Sequence, residues 1–275
     1  MSFKLGIIGT GNMAEAIING VISSGTLDLT EICAFEKKED RAAFIREKYK
    51  IFFFANPGEL IKNSEFILIA VKPGDAGELL EKASPFLDGK NNSIISICAG
   101  VSTGYIESKI KKEIPVIRIM PNTPALLRKG ISAISTGRFS GSKDIEFAGK
   151  IMSGTGDCII IDEKLQNAVT AVSGSGPAYF FLFCGEIIET AVKLGIDRKT
   201  AQKLVFATMR GSADMLEAYN GDTDFLIKMV RSPGGTTEAA MDVFLKNNFG
   251  KIVAEAVENA EQKAGRIQKG LENNN

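Results

Sequence analysis

The sequence predicts an α/β fold, a doubly wound sheet domain over residues 1–162 followed by an all-α domain over 163–275. Three observations carry the prediction. Short apolar runs alternate with helical patterns along the first part of the chain, as in a parallel sheet covered on both faces. A glycine-rich turn joins the first apolar run to the first helical pattern. Beyond residue 162 the strand-like runs stop and helical spacing takes over.

The first run, 4–8, ends at Gly9, and Met13, Ala16, Ile17 and Val21 give the segment 12–24 a helical face. Further strands are predicted at 31–35, 65–71, 93–97, 116–120, 131–136 and 157–161, with helices at 38–48, 74–84, 102–111 and 143–153. In the second half, Ser173-Gly174-Ser175-Gly176-Pro177 reads as a turn feeding a helix, with Pro177 suited to a first turn. That helix is expected to end near Gly195, with Asp197 capping the next. Ser232-Pro233-Gly234-Gly235 breaks the pattern before two final helices, and the polar tail from Gly270 is expected to fray.

Composition narrows the function classes. The 33 basic and 33 acidic residues cancel, so no net field recruits nucleic acid or an anionic membrane. The absence of histidine excludes imidazole zinc sites and histidine-based triads or proton shuttles. Cys33, Cys98, Cys158 and Cys184 are scattered without metal-ligand spacing and read as buried small hydrophobes. The N-terminus carries no secretory pattern, and the apolar segment Ala178 to Cys184 is too short to span a bilayer, so the expected location is the cytoplasm.

Gly9-Thr10-Gly11-Asn12-Met13-Ala14 fits the G-x-G-x-x-G/A pattern between strand and helix. Gly9 allows the tight turn, Gly11 admits a pyrophosphate to the backbone, and Ala14 lets helix and strand pack closely. The following helix supplies free amides and a partial positive charge. The expected domain is therefore a Rossmann-type dinucleotide site. At the end of the second strand Glu36 can accept hydrogen bonds from a ribose 2′-OH, as in NADH, whereas Lys37 and Lys38 can pair with the 2′-phosphate of NADPH. Two cations against one carboxylate tip the expectation to NADPH.

Four further motifs follow in order: Ala70-Val71-Lys72-Pro73, Met120-Pro121-Asn122-Thr123-Pro124, Ser173 to Tyr179, and Ser232-Pro233-Gly234-Gly235-Thr236-Thr237. Each has a bland reading as a strand end, rigid turn, helix start or cap. Their joint order behind the glycine-rich turn resembles the pyrroline-5-carboxylate reductases, over roughly residues 3 to 267. That resemblance implies reduction of 1-pyrroline-5-carboxylate to L-proline by NADPH or NADH, with the second domain serving dimerisation. It implies that Ile8, Gly9, Thr10, Gly11, Asn12 and Met13 cradle the pyrophosphate and that Asn56 contacts the ribose side, where Glu36 and Lys37 also lie. Ala70, Val71, Lys72 and Pro73, with Ile97, Cys98 and Ala99, are implied to line the nicotinamide half. The amides of Gly235, Thr236 and Thr237 are implied to receive the substrate carboxylate, with the Thr237 hydroxyl near the ring nitrogen as the catalytic group. Glu163 matches a substrate-side glutamate of some relatives, and Met229 departs from the asparagine that some carry.

Two other readings compete. A β-hydroxyacid dehydrogenase would place a catalytic lysine on a helix of the second domain, where Lys193 and Lys203 stand outside any recognisable motif. A non-catalytic dinucleotide sensor would have no need of the intact Ser232 to Thr237 loop. Finally, the consecutive apolar residues Phe180, Phe181, Leu182 and Phe183 turn through more than one helix face, which a small helical domain cannot cover alone. A homodimer is expected, and the resemblance implies larger rings of dimers in some members.

Overall fold

The computed structural model describes residues 2–273. Eight strands form one sheet in the order β3-β2-β1-β4-β5-β6-β7-β8: β1 Phe3–Ile8, β2 Ile32–Phe35, β3 Phe52–Phe53, β4 Ser64–Ile69, β5 Ser93–Ser96, β6 Val116–Met120, β7 Gly130–Thr136 and β8 Gly156–Ile160. The crossovers are α1 Asn12–Ser23, α2 Glu39–Tyr49, α3 Pro57–Lys62, α4 Pro73–Ala83, α5 Thr103–Ile110 and α6 Ser142–Ser153.

Side chains alternate across the strands and build a core on each face. On β4, Phe66 and Leu68 join Ile17, Val21, Phe147 and Ile151 on one side. Ile67 and Ile69 join Leu60, Leu80, Ile106 and Val116 on the other. The sheet departs from the expected parallel pattern at one place, since β7 runs antiparallel to β6. Only a 3₁₀ turn, Thr123–Leu127, connects these two strands, and it is too short for a parallel crossover.

Compact packing groups the chain up to Ser175, together with the part from Ala260 onward, in one unit, and Gly176–Asn259 in a second. This division differs from the expected boundary at 162/163, because the segment 163–175 and the end of the last helix pack on the sheet. The second unit carries α8 Gly176–Lys193, α9 Arg198–Ala218, α10 Thr223–Val230, α11 Thr236–Lys246 and the first part of α12 Phe249–Asn273. Asp197 caps α9 through a hydrogen bond accepted from the Thr200 amide. Preceding α8, α7 is the short helix Gln166–Val169.

Two local expectations are overturned. The break expected at Ser173 to Pro177 is one turn of π-helix, Thr170–Gly174, in which the Ser175 amide reaches back to the Thr170 carbonyl. Glu163–Lys193 is therefore one helical run, long and apolar enough by length and composition to cross a membrane. The tail is not frayed over its described residues either. The α12 helix continues to Asn273, Leu271 packs against a sheet core cluster, and the Glu272 carboxylate accepts a hydrogen bond from the Ser102 hydroxyl. The last two residues, expected to fray with it, lie outside the described residues.

Candidate active site

The strand order reverses between β1 and β4, which opens a crevice at the carboxyl ends of the parallel strands. Ile8 to Met13, Glu36 and Lys37, Ala70 to Pro73, and Ile97 to Ala99 all follow or end strands at that edge. The topology thus gathers residues separated by up to some ninety positions.

Within the glycine-rich turn, the two glycines have different causes. Gly9 has φ +89°, and its amide bonds the Phe35 carbonyl, so the turn itself demands glycine. Gly11 is ordinary extended backbone at φ −62° and ψ −178°. A Cβ built there meets no atom within 4 Å. The fold does not need that glycine, whereas a pyrophosphate approaching the open side of the turn does. Gly11 caps α1 without a side-chain bond, which leaves the first helical amides, from Asn12 and Met13, facing out. These residues fit a dinucleotide phosphate.

Glu36 closes the other flank. Its Oε2 accepts from the Thr10 amide at 2.7 Å and the Thr10 hydroxyl at 3.0 Å, and its Oε1 accepts from the Lys38 amide at 3.0 Å. Burial pushes its pKa up, but the hydrogen bonds outweigh this and hold the carboxyl below the usual carboxylate range. The Lys37 side chain is exposed. Arg41, which carried no sequence signal, donates Nε to the Thr10 carbonyl at 2.6 Å and pairs with Glu15 on α1. The turn is therefore braced from both sides.

The residues expected on the nicotinamide side divide. Ala70, Val71 and Ala99 are half-buried, Pro73 starts α4, and Lys72 is exposed. Cys98 is buried with its thiol directed at the Ile69 and Val71 carbonyls, and burial raises its pKa to about 11. Its side chain is packing, and only its backbone remains to face a ligand. Asn56 caps α3, accepting from the Glu59 amide at 2.9 Å, so its amide oxygen is already committed.

In the helical unit, Gly235 is the N-cap of α11, with Thr236 and Thr237 its first residues. The Gly235 amide does not point outward as expected. It closes the turn on the Ser232 carbonyl at 3.0 Å. The amides of Thr236 and Thr237 lack intrahelical partners by helix geometry, and the Thr237 side chain is half-buried. Glu163 is also committed. It accepts from the Thr103 amide at 2.8 Å and the Thr103 hydroxyl at 2.5 Å, and pairs with the buried Arg118 at 3.3 Å. Nothing local in the sequence joins those three residues.

Comparison with known proteins gives the family. Residues 163–267 match the family model "Pyrroline-5-carboxylate reductase dimerisation", and residues 4–100 match "NADP oxidoreductase coenzyme F420-dependent". The chain is 32% identical to pyrroline-5-carboxylate reductase 2 of Bacillus subtilis over 96% of this chain and 95% of that protein. It is 35% identical to the pyrroline-5-carboxylate reductase of Synechocystis, covering 98% of this chain and all (100%) of the other. The solved pyrroline-5-carboxylate reductase of Coxiella burnetii superposes with a TM-score of 0.89 at 30% identity, over 97% of this chain and 99% of that one. The Plasmodium falciparum pyrroline carboxylate reductase with NADP bound superposes with a TM-score of 0.87 at 29% identity, over 97% and 98%. Identity of 32% and 35% over nearly the whole length of these relatives shows that the chain belongs to the pyrroline-5-carboxylate reductase family.

Proposed function

We propose that this chain reduces 1-pyrroline-5-carboxylate to L-proline with NADPH or NADH, the last step of proline biosynthesis. The observation that carries the reading is the open glycine-rich turn at the strand-order switch, in a chain alike over nearly its whole length to enzymes named for this reaction. The cofactor supplies a hydride. Ile8 to Met13 hold its phosphates, Glu36, Lys37 and Asn56 lie on the adenosine side, and Ala70 to Pro73 with Ile97 to Ala99 line the nicotinamide side. Gly235 shapes the turn that presents the Thr236 and Thr237 amides to the substrate carboxylate, as helix N-termini do for anions. The Thr237 hydroxyl hydrogen-bonds the ring nitrogen as it becomes an amine. A C=N bond is already electrophilic, and orientation supplies much of the rate, so the lack of histidine is no obstacle.

The enzyme works as a homodimer at least, in the cytoplasm, without nucleic acid or membrane. Phe180, Phe181 and Leu182 on α8 are 56%, 69% and 68% exposed in the single chain. The match to a dimerisation model over residues 163–267 supports a second subunit, not a bilayer, as the cover for this apolar run. Purified protein should oxidise NADPH or NADH on addition of pyrroline-5-carboxylate and release L-proline. Turnover of an open-chain hydroxy acid instead, with no response to the imine, would reject the assignment.

A further inference from the structure

Three positions that follow the nicotinamide-side residues Ile97 to Ala99 are each held from outside the loop. Gly100, at φ +76°, lies under Ile267 of α12, so close that a Cβ there would stand 2.9 Å from the Ile267 side chain. The Ser102 hydroxyl donates to Glu272 at 2.8 Å and also accepts from the Tyr105 amide, capping α5. Thr103 gives both its amide and its hydroxyl to Glu163. Arg118, 2% exposed on β6, pairs with Glu163. Glu163 precedes the helical unit in the chain, and Ile267 and Glu272 follow it, so the two segments that lead into and out of that unit grip the same loop.

Stability alone is a poor reason for this cluster. A buried ion pair recovers little of its desolvation cost. One guanidinium nitrogen of Arg118, Nη2, is buried without a hydrogen-bond partner, which costs further. An apolar residue of similar volume on β6 would serve the core as well. What the cluster does achieve is a fixed backbone path from Ala99 to the start of α5.

We propose that Glu163, braced by Arg118, is a positioning residue that together with Glu272 sets the nicotinamide-side loop, and does not itself bind substrate. The inference rests on the proposed cofactor site. A hydride acceptor tolerates little misplacement, since a shift of about 1 Å can cost on the order of 100-fold in rate. The cluster therefore acts on the chemical step through the loop backbone.

Thr103→Val tests this, because it deletes the hydroxyl that Glu163 holds and keeps the volume. Calorimetry is used to measure the binding of NADP⁺ and of 2′,5′-ADP, which lacks the nicotinamide half. Thr103→Val should weaken NADP⁺ by about 3- to 10-fold and leave 2′,5′-ADP within twofold, and turnover should fall about 10-fold with the substrate KM little changed. Thr103→Ser, which restores the hydroxyl, should recover both. Glu163→Gln, which keeps the shape but removes the negative charge facing Arg118, should reproduce the NADP⁺-selective loss. Equal loss of both ligands, or a lower melting temperature with unchanged binding and turnover, would overturn the proposal. A raised substrate KM at unchanged kcat would also overturn it, because Glu163 would then act as a substrate contact. The binding arm stands whether or not pyrroline-5-carboxylate proves to be the substrate, so the two failures are distinguishable.

Discussion

At the scale of single residues, the same motif letters conceal different physical roles. Gly9 is required by its own backbone, while Gly11 faces empty space that only a ligand would use. Gly11→Ala should therefore change the unfolding free energy by less than about 1 kcal/mol, the entropic gain of a backbone-compatible site being offset by the poorer helix cap that alanine makes. Its affinity for NADPH should nevertheless fall at least ~10-fold, because the methyl occupies the phosphate approach. Calorimetry beside a denaturant titration checks both halves, and unaltered affinity would remove the turn from the cofactor site. Glu36 is the second case. Its carboxylate is pinned to Thr10 on what we propose is the adenosine side of the site, whereas Lys37 is exposed. Glu36→Ser should raise the NADPH to NADH ratio of kcat/KM about 10-fold, the equivalent of about 1.4 kcal/mol. A constant ratio would mean that Glu36 serves the turn alone. Since the pKa of Glu36 is lowered in the folded protein, its stabilisation is complete above the ordinary carboxylate range and is lost on acidification.

At the scale of elements, most strands were legible as short, largely apolar runs bounded by glycine, proline or charge, and the glycine-rich turn because its context was local, whereas β3, two residues long, carries too short a pattern to be read. The antiparallel β7 was not legible, since orientation depends on the length of a connection and not on the strand's own pattern. Nor was the π-turn at Thr170–Gly174, where glycine and serine spelled a break but the backbone stayed helical. Arg41, Thr103, Arg118 and Glu272 escaped notice for a common reason. The partners that tie them to the site lie 26 to 170 residues away along the chain, beyond the reach of any periodicity. The α11 N-terminus was legible as a cap, but not that the Gly235 amide is spent on its own turn. In the proposed site that leaves the amides of Thr236 and Thr237 for the substrate carboxylate. Thr237→Val should lower kcat/KM by ~10- to 100-fold, about 1.4 to 2.7 kcal/mol of transition-state stabilisation, while cofactor affinity holds. Wild-type turnover in that variant would remove the hydroxyl from the mechanism.

At the scale of the whole molecule, the distribution of apolar surface separates the two units. The sheet unit buries most of its strand isoleucines, with Leu127, Ile159 and Ile160 left exposed, whereas α8 leaves the consecutive Phe180, Phe181 and Leu182, and also Ile187, exposed in one chain. That surface is the reason to expect an obligate dimer: light scattering at assay concentration should show no active monomer, and an active monomer would refute it. Isotope transfer follows the reaction itself. NADPH deuterated at nicotinamide C4, with each face labelled in turn, should deliver one deuterium to C5 of L-proline from one face only. NADPH oxidation that leaves the recovered proline unlabelled from both faces would contradict hydride transfer to the imine.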